Sequence, residues 1–180
     1  IRFNEKAGGV KFEQALKQMH PQSNEAPLLE AAFSAYSTRY EYHIKQIIEE
    51  RDQYNLDSLL TEINSTALGL RQFTTKLFDR HEDVGRLIAS IFAVWTYLNS
   101  SKEFLSSNKH SLCQPHDTQV LAILRLIGID EKATPSNHIA EIKTGEGKSI
   151  ALGVLSCFYA LLHFQVKVVC YSPYLCQRDA

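Results

Sequence analysis

The sequence lacks the features that mark several large classes of protein. Lysine and arginine number 19 against 20 aspartate and glutamate, so no excess of positive charge indicates nucleic-acid binding. No apolar run approaches the roughly 20 residues that a membrane-spanning helix needs. The first residues also lack the basic-then-apolar pattern of a secretory signal peptide. With 44% hydrophobic and 22% charged residues, the 180-residue chain has the composition of a soluble globular protein.

Cysteine is scarce and shows no paired spacing. The cysteines lie late in the chain at irregular intervals, and no CxxC pair occurs, so the spacing gives little support to a zinc site or a thioredoxin-type redox pair. Reduced thiols of this kind are typical of intracellular proteins. We therefore expect a cytoplasmic protein whose four cysteines are reduced: Cys113, Cys157, Cys170 and Cys176.

Apolar residues recur at intervals of three and four over much of the first hundred positions, which is the period of an amphipathic helix. This pattern predicts a short helix over residues 10–19 and three long helices after it. Asp79 and Glu82 resemble a capping box, which would begin the third long helix just before His81. Three such helices joined by short polar turns predict a packed helical unit, with apolar stripes in residues 29–48, 56–77 and 84–98.

The composition changes after residues 100–115, which are rich in serine and polar residues and indicate a connector. Asp117 can then cap a helix over residues 118–127, with Gly128 as its stop. A polar loop leads from this helix to a glycine-rich stretch. We therefore divide the chain into a helical region, residues 1–110, and a second region, residues 115–180.

The second region contains the stretch HIAEIKTGEGKSIALGVL. A loop that binds phosphate needs backbone N–H groups pointing inward, and Gly145 and Gly147 supply the conformational freedom that this requires. Lys148 can reach the terminal phosphates of a nucleotide, and the Ser149 hydroxyl can bind magnesium. Ile142 occupies the first glycine position of the usual G-x-x-x-x-G-K-[ST] pattern. The match is therefore imperfect, and a flexible turn is the alternative.

The sequence around this loop favours phosphate binding. HIAEIK, residues 138–143, predicts a short strand, and residues 149–164 are apolar enough for a buried helix. QVKVVCYS, residues 165–172, has the composition of a strand buried in a parallel sheet. A loop that opens a helix places an anion where the helix amides and dipole favour it. Strand, loop, helix and strand form a crossover unit, so we predict an α/β fold: an N-terminal all-helical region followed by the start of a parallel sheet.

Three motifs together resemble the first nucleotide-binding domain of the SecA family, the motor ATPases of bacterial protein export. IAEIKTGEGKS resembles that family's helicase-type phosphate loop, which also carries a bulky apolar residue in place of the first glycine. VVCYSPYLCQRDA is similar to the family's next motif, and PHDTQVLAI to the segment whose glutamine recognises adenine. The resemblance covers about the last third of the chain and implies a DEAD-like, RecA-like P-loop NTPase sheet there. Residues 1–110 show no clear match of this kind.

The resemblance assigns roles to residues by their positions. Gln119 would hydrogen-bond the adenine edge of ATP, and an ordinary helix residue facing solvent is the alternative. Lys148 would be the catalytic lysine, and Ser149 the ligand of Mg²⁺. Arg178 would brace the nucleotide pocket, although a local salt bridge with Asp179 explains it equally well. The residues implied to bind ATP are Gln119, Thr144, Gly145, Glu146, Gly147, Lys148, Ser149 and Arg178.

More than one function remains open from the sequence. The resemblance implies part of a motor ATPase that moves a polypeptide, with a polypeptide substrate and a membrane translocation channel as partners. It also implies a peripheral position at the membrane, and a docking or regulatory role for residues 1–110. The alternative is an interaction module that senses nucleotide and translocates nothing. A helicase-like ATPase acting on nucleic acid is disfavoured by the balanced charge. Hydrolysis needs a second, carboxylate-bearing strand, so we expect a longer parent protein and no hydrolysis by this segment alone.

Overall fold

The computed structural model describes residues 11–19, 21, 25–50, 53–71, 79–100, 112–129 and 147–169. Helices account for 81% of these residues. The helices predicted from the apolar period are present, including the short first one. In chain order they are α1 (Phe12–Gln18), α2 (Glu25–Glu50), α3 (Leu56–Arg71), α4 (His81–Asn99), α5 (Asp117–Ile127) and α6 (Lys148–Leu161).

The predicted parallel sheet is wrong for the described part of the chain, where no residue lies in a β-strand. Residues 164–169 include the larger part of the predicted second strand, but they form neither helix nor strand, and Val169 is 90% exposed. A strand is held by hydrogen bonds to a neighbouring strand, and no described segment pairs with these residues. The predicted first strand, residues 138–143, lies outside the described residues. The described fold is therefore all-helical rather than α/β.

Helices α2 and α4 form the most extensive helix pair of the fold. Gly85 allows their close approach, because a Cβ at that position would overlap the carbonyl oxygen of Ala32. Leu29 and Ile88, one turn away from these two residues, are fully buried. Since burying a side chain of this size stabilises a protein by about 1.5–3 kcal/mol, this helix pair contributes strongly to the core.

A polar cluster lies among α2, α3 and α4. The His43 imidazole is 1% exposed, and its Nε2 lies 3.1 Å from Ser90 Oγ and 3.4 Å from Glu62 Oε1. Arg39 donates through Nε to the same Glu62 oxygen at 3.0 Å. His43 Nδ1 has no hydrogen-bond partner within the described ranges, so a neutral ring with its proton on Nε2 fits these partners. Burial lowers the pKa of His43 more than the Glu62 carboxylate raises it.

The hydrophobic core continues from these helices into α5 and α6. Val120 and Leu124 of α5 and Phe158 of α6 are fully buried. Helix α1 packs against α5, and α6 packs against both α4 and α5. Described helices on both sides of the predicted boundary near residue 110 therefore share one core, and this core brings the start of α6 to the start of α5.

Candidate functional site

The structure describes half of the residues assigned to a nucleotide site, namely Gln119, Gly147, Lys148 and Ser149. Helix α6 begins at Lys148 with Gly147 as its N-cap. The helix start therefore lies within one residue of its predicted position. The roles of these residues stay predictions. The other four assigned residues lie outside the described residues: Thr144, Gly145, Glu146 and Arg178.

Gly147 meets two structural requirements that favour glycine. Its backbone is left-handed, with φ 72° and ψ 41°, a conformation that costs an L-residue about 1–2 kcal/mol. A Cβ at this position would also overlap Nε2 of Gln119. The Gly147 carbonyl closes the first turn of α6, because it accepts from the N–H groups of Ile150 and Ala151 at 3.0 and 3.2 Å. Glycine is thus needed both for the turn and for the approach of α5.

The first turn of α6 has a positive electrostatic character. It begins with Lys148 and contains no acidic residue, and the first amides of a helix carry the positive end of the helix dipole. The side chains of Lys148 and Ser149 are both exposed. An anion that approaches this helix start therefore meets an ammonium group, a hydroxyl group and helix amides together.

Gln119 connects the starts of α5 and α6. It lies in the first turn of α5 and is 4% exposed, so the alternative of a helix residue facing solvent is wrong. Its Oε1 accepts from the backbone N–H of His116 at 3.0 Å, which caps α5 from within its first turn. Its Nε2 lies against Gly147. One carboxamide therefore contacts both the candidate phosphate loop and the beginning of α5.

Two polar contacts with no signal in the sequence hold α5 against the first two helices. Asp117 is the first residue of α5 rather than its cap, and its Oδ2 accepts from the backbone N–H of Phe12 at 3.0 Å, at the start of α1. Arg125 Nη1 lies 3.2 Å from Oε2 of the buried Glu25, as an ion pair without hydrogen-bond geometry. Partners about a hundred positions apart cannot be paired from local sequence patterns.

The far end of α6 closes in a left-handed turn. The N–H of Phe164 donates to the Tyr159 carbonyl at 3.0 Å, and that of His163 to the Ala160 carbonyl at 2.9 Å. These two bonds form a Schellman motif. His163 has a φ of 67°, and Gly128 occupies the equivalent position after α5 with a φ of 87°. The turn after α5 therefore has glycine at its left-handed position, which is the preferred residue, whereas the turn after α6 has histidine.

The described residues form neither a membrane-spanning helix nor a cluster of metal-binding side chains. No helix within them is both long and apolar enough to cross a membrane. Within the same ranges, no three or more histidine, cysteine, aspartate or glutamate side chains are grouped so that they could hold a metal ion.

One protein family matches nearly the whole chain. The SecA DEAD-like domain family matches residues 11–180, and so includes α1–α4 as well as α5 and α6. Protein translocase subunit SecA 2 of Mycobacterium leprae is 35% identical over 75 residues, which are 42% of this chain and 9% of that protein. Protein translocase subunit SecA 2 of Mycolicibacterium smegmatis and protein translocase subunit SecA of Mycobacterium avium are each 37% identical over 67 residues, 37% of this chain and 8% of each relative. The chain spans less than a tenth of these relatives. No solved structure matches it.

Proposed function

Because the chain belongs to the SecA DEAD-like domain family, we propose that it supplies the ATP-binding part of a SecA-like motor ATPase. In this proposal the parent protein couples ATP binding and hydrolysis to the translocation of a polypeptide. The observation that supports it best is the contact between Gln119 and Gly147 at the start of α6. This contact joins the residue proposed for the base to the loop proposed for the phosphates.

The residues at the start of α6 fit the triphosphate of ATP and its Mg²⁺. The left-handed Gly147 makes the turn before α6 compact, and Nε2 of Gln119 occupies the place that a Cβ would take. Lys148 would contact the terminal phosphates, and the Ser149 hydroxyl would be a ligand of Mg²⁺. The absence of an acidic residue from the first turn of α6 leaves the dipole and the Lys148 charge to act in the same direction.

Gln119 is proposed to recognise adenine. A carboxamide carries an N–H donor and a carbonyl acceptor side by side, and these match N7 and the N6 amino group of adenine. The bond from His116 N–H to Oε1 fixes the orientation of the carboxamide, since the amide end must then point to Gly147. In this arrangement the carboxamide faces Gly147 and is 4% exposed, so it has to rotate toward the base before it can pair with adenine.

The remaining assignments are part of the same proposal. The loop residues before Gly147 would complete the phosphate cradle, and Arg178 would brace the pocket. The partners would be a polypeptide substrate and a membrane translocation channel, which the parent protein would reach from the cytoplasm. The loop residues concerned are Thr144, Gly145 and Glu146.

A nucleotide-sensing interaction module is the second candidate. The core shared by α1–α6 favours it, because a change at the start of α6 would reach the helical region through direct packing. Hydrolysis separates the two candidates. A motor hydrolyses ATP faster when an unfolded polypeptide is added to the parent protein, whereas a sensing module binds ATP without this stimulation.

Titration of the purified chain with a fluorescent ATP analogue and Mg²⁺ tests the nucleotide site. We expect Lys148→Ala to weaken binding at least about tenfold, because charge-assisted contacts to phosphate are worth roughly 1.5–3 kcal/mol. Lys167→Ala is the matched control, since Lys167 is exposed and lies beyond the far end of α6. Equal affinity of the Lys148→Ala variant and the wild type would remove the phosphate role.

A further inference from the structure

Arg71 is the last residue of α3, and it contacts the last residue of α6. Its Nε donates to the carbonyl oxygen of Leu161 at 2.7 Å, across 90 positions of the chain. The contact is partly buried, so solvent competes with it less than with a surface ion pair. It joins the helical region directly to the helix that begins at the candidate phosphate loop.

This contact can hold α6 in position because it lies at the end of the helix. The last carbonyls of a helix lack partners within the helix and carry the negative end of its dipole. The guanidinium group of Arg71 supplies a donor and a positive charge at that end. Helix α6 has 14 residues and is about 21 Å long, so Arg71 holds the end that lies opposite Lys148.

Apolar packing alone fixes α6 less tightly. Only one side of the helix is buried, through Ala151, Val154 and Phe158, and Leu152 on the other side is 42% exposed. Burial of apolar surface has no preferred direction, whereas a hydrogen bond weakens when its donor and acceptor shift. The hydrogen bond from Arg71 therefore opposes sliding of α6 along its axis.

The opposite end of α6 is sensitive to such sliding. Nε2 of Gln119 lies where a Cβ of Gly147 would stand, so a small displacement of α6 changes the contact between loop and α5. We infer that Arg71 is a positioning residue for the candidate phosphate loop and acts on it through α6. The expected effect of Arg71 on ATP affinity rests on the proposed function. Its expected effect on the position of α6 does not.

Three variants test the inference in the full chain. Arg71→Met keeps the aliphatic stem and removes every donor, and Arg71→Lys keeps the charge without the planar Nε–H. Arg86→Met is the matched control, because within the described ranges the Arg86 side chain forms its ion pairs with Glu82 and Asp83, both on its own helix. We expect Arg71→Met to weaken binding of the fluorescent ATP analogue roughly five- to tenfold, Arg71→Lys to weaken it less, and Arg86→Met to leave it unchanged.

Hydrogen exchange at residues 148–151 supplies a readout that does not depend on nucleotide. We expect Arg71→Met to speed exchange there, beyond any change in a variant destabilised in the middle of α3, such as Ile63→Val. Unchanged exchange relative to Ile63→Val would overturn the positioning role. Faster exchange in a protein whose wild type binds no ATP analogue would support the positioning role and reject the proposed function. Faster exchange with unchanged ATP affinity would overturn the link from Arg71 to the site.

Discussion

Replacing Gly147 with alanine would break two features of the candidate loop at once. The φ of 72° costs alanine about 1–2 kcal/mol, and the new Cβ overlaps Nε2 of Gln119. The carboxamide can move aside only by breaking its bond from His116 N–H, a loss of about 1 kcal/mol. Alanine also lowers the entropy of the unfolded chain, which offsets about 0.4–1 kcal/mol. We expect the free energy of unfolding to fall by about 2 kcal/mol in total.

A double-mutant cycle with Gln119→Ala separates these contributions. Without the Gln119 side chain the overlap is absent, so Gly147→Ala should then cost only its backbone strain. Urea denaturation of the four proteins should give a coupling energy of about 1 kcal/mol. Gly153→Ala is the matched control in α6: its Cβ meets nothing within 4 Å, and alanine should stabilise the helix by about 0.8–1 kcal/mol. Additive effects of Gly147→Ala and Gln119→Ala would refute the contact between them.

Two further predictions concern the end of α6 and the buried histidine. His163→Gly should raise the free energy of unfolding by about 0.5–1 kcal/mol, because glycine adopts the φ of 67° without strain. Scanning calorimetry measures this, and a lower melting temperature than wild type would contradict it. Burial lowers the pKa of His43, so its contribution to stability is complete above the ordinary pKa of about 6.5 and is lost as the pH falls. Urea denaturation at pH values above and below this point should therefore show a larger acid loss for the wild type than for His43→Gln. An equal loss of stability at low pH in the wild type and in His43→Gln would rule out His43 as its source.

The helices could be predicted from the sequence because their signal is local. In α2 and α4 the spacing of apolar residues defines the buried face without knowledge of its partner, and Leu29 and Ile88 are fully buried on those faces. The sequence signal of a strand is not local in this way, because its hydrogen bonds and register depend on distant residues. The apolar stretch that begins at Gln165 therefore predicted a strand that the described residues do not form.

The candidate site could be predicted in its residue types but not in its arrangement. The step from Gly147 to Lys148 marks a helix start by its composition, and α6 begins there. Aspartate is a preferred cap, so Asp117 was expected to cap its own helix. Instead it accepts from Phe12, and Gln119 caps α5. Tertiary packing decided both outcomes, and no pattern of neighbouring residues contains that information.

The elements of the candidate site are held to the helices before residue 110 by links between helix ends. Apolar burial fixes which face of a helix points inward, but it fixes the position along the axis only weakly. A link at a helix end acts where the dipole charge is concentrated, and it resists axial movement. Because the starts of α5 and α6 meet at Gln119 and Gly147, axial movement of either helix would separate the proposed base and phosphate subsites. We therefore expect the helical region to be needed to hold these subsites together; the family match also includes this region, since it begins at residue 11. The links are Phe12–Asp117, Glu25–Arg125 and Arg71–Leu161.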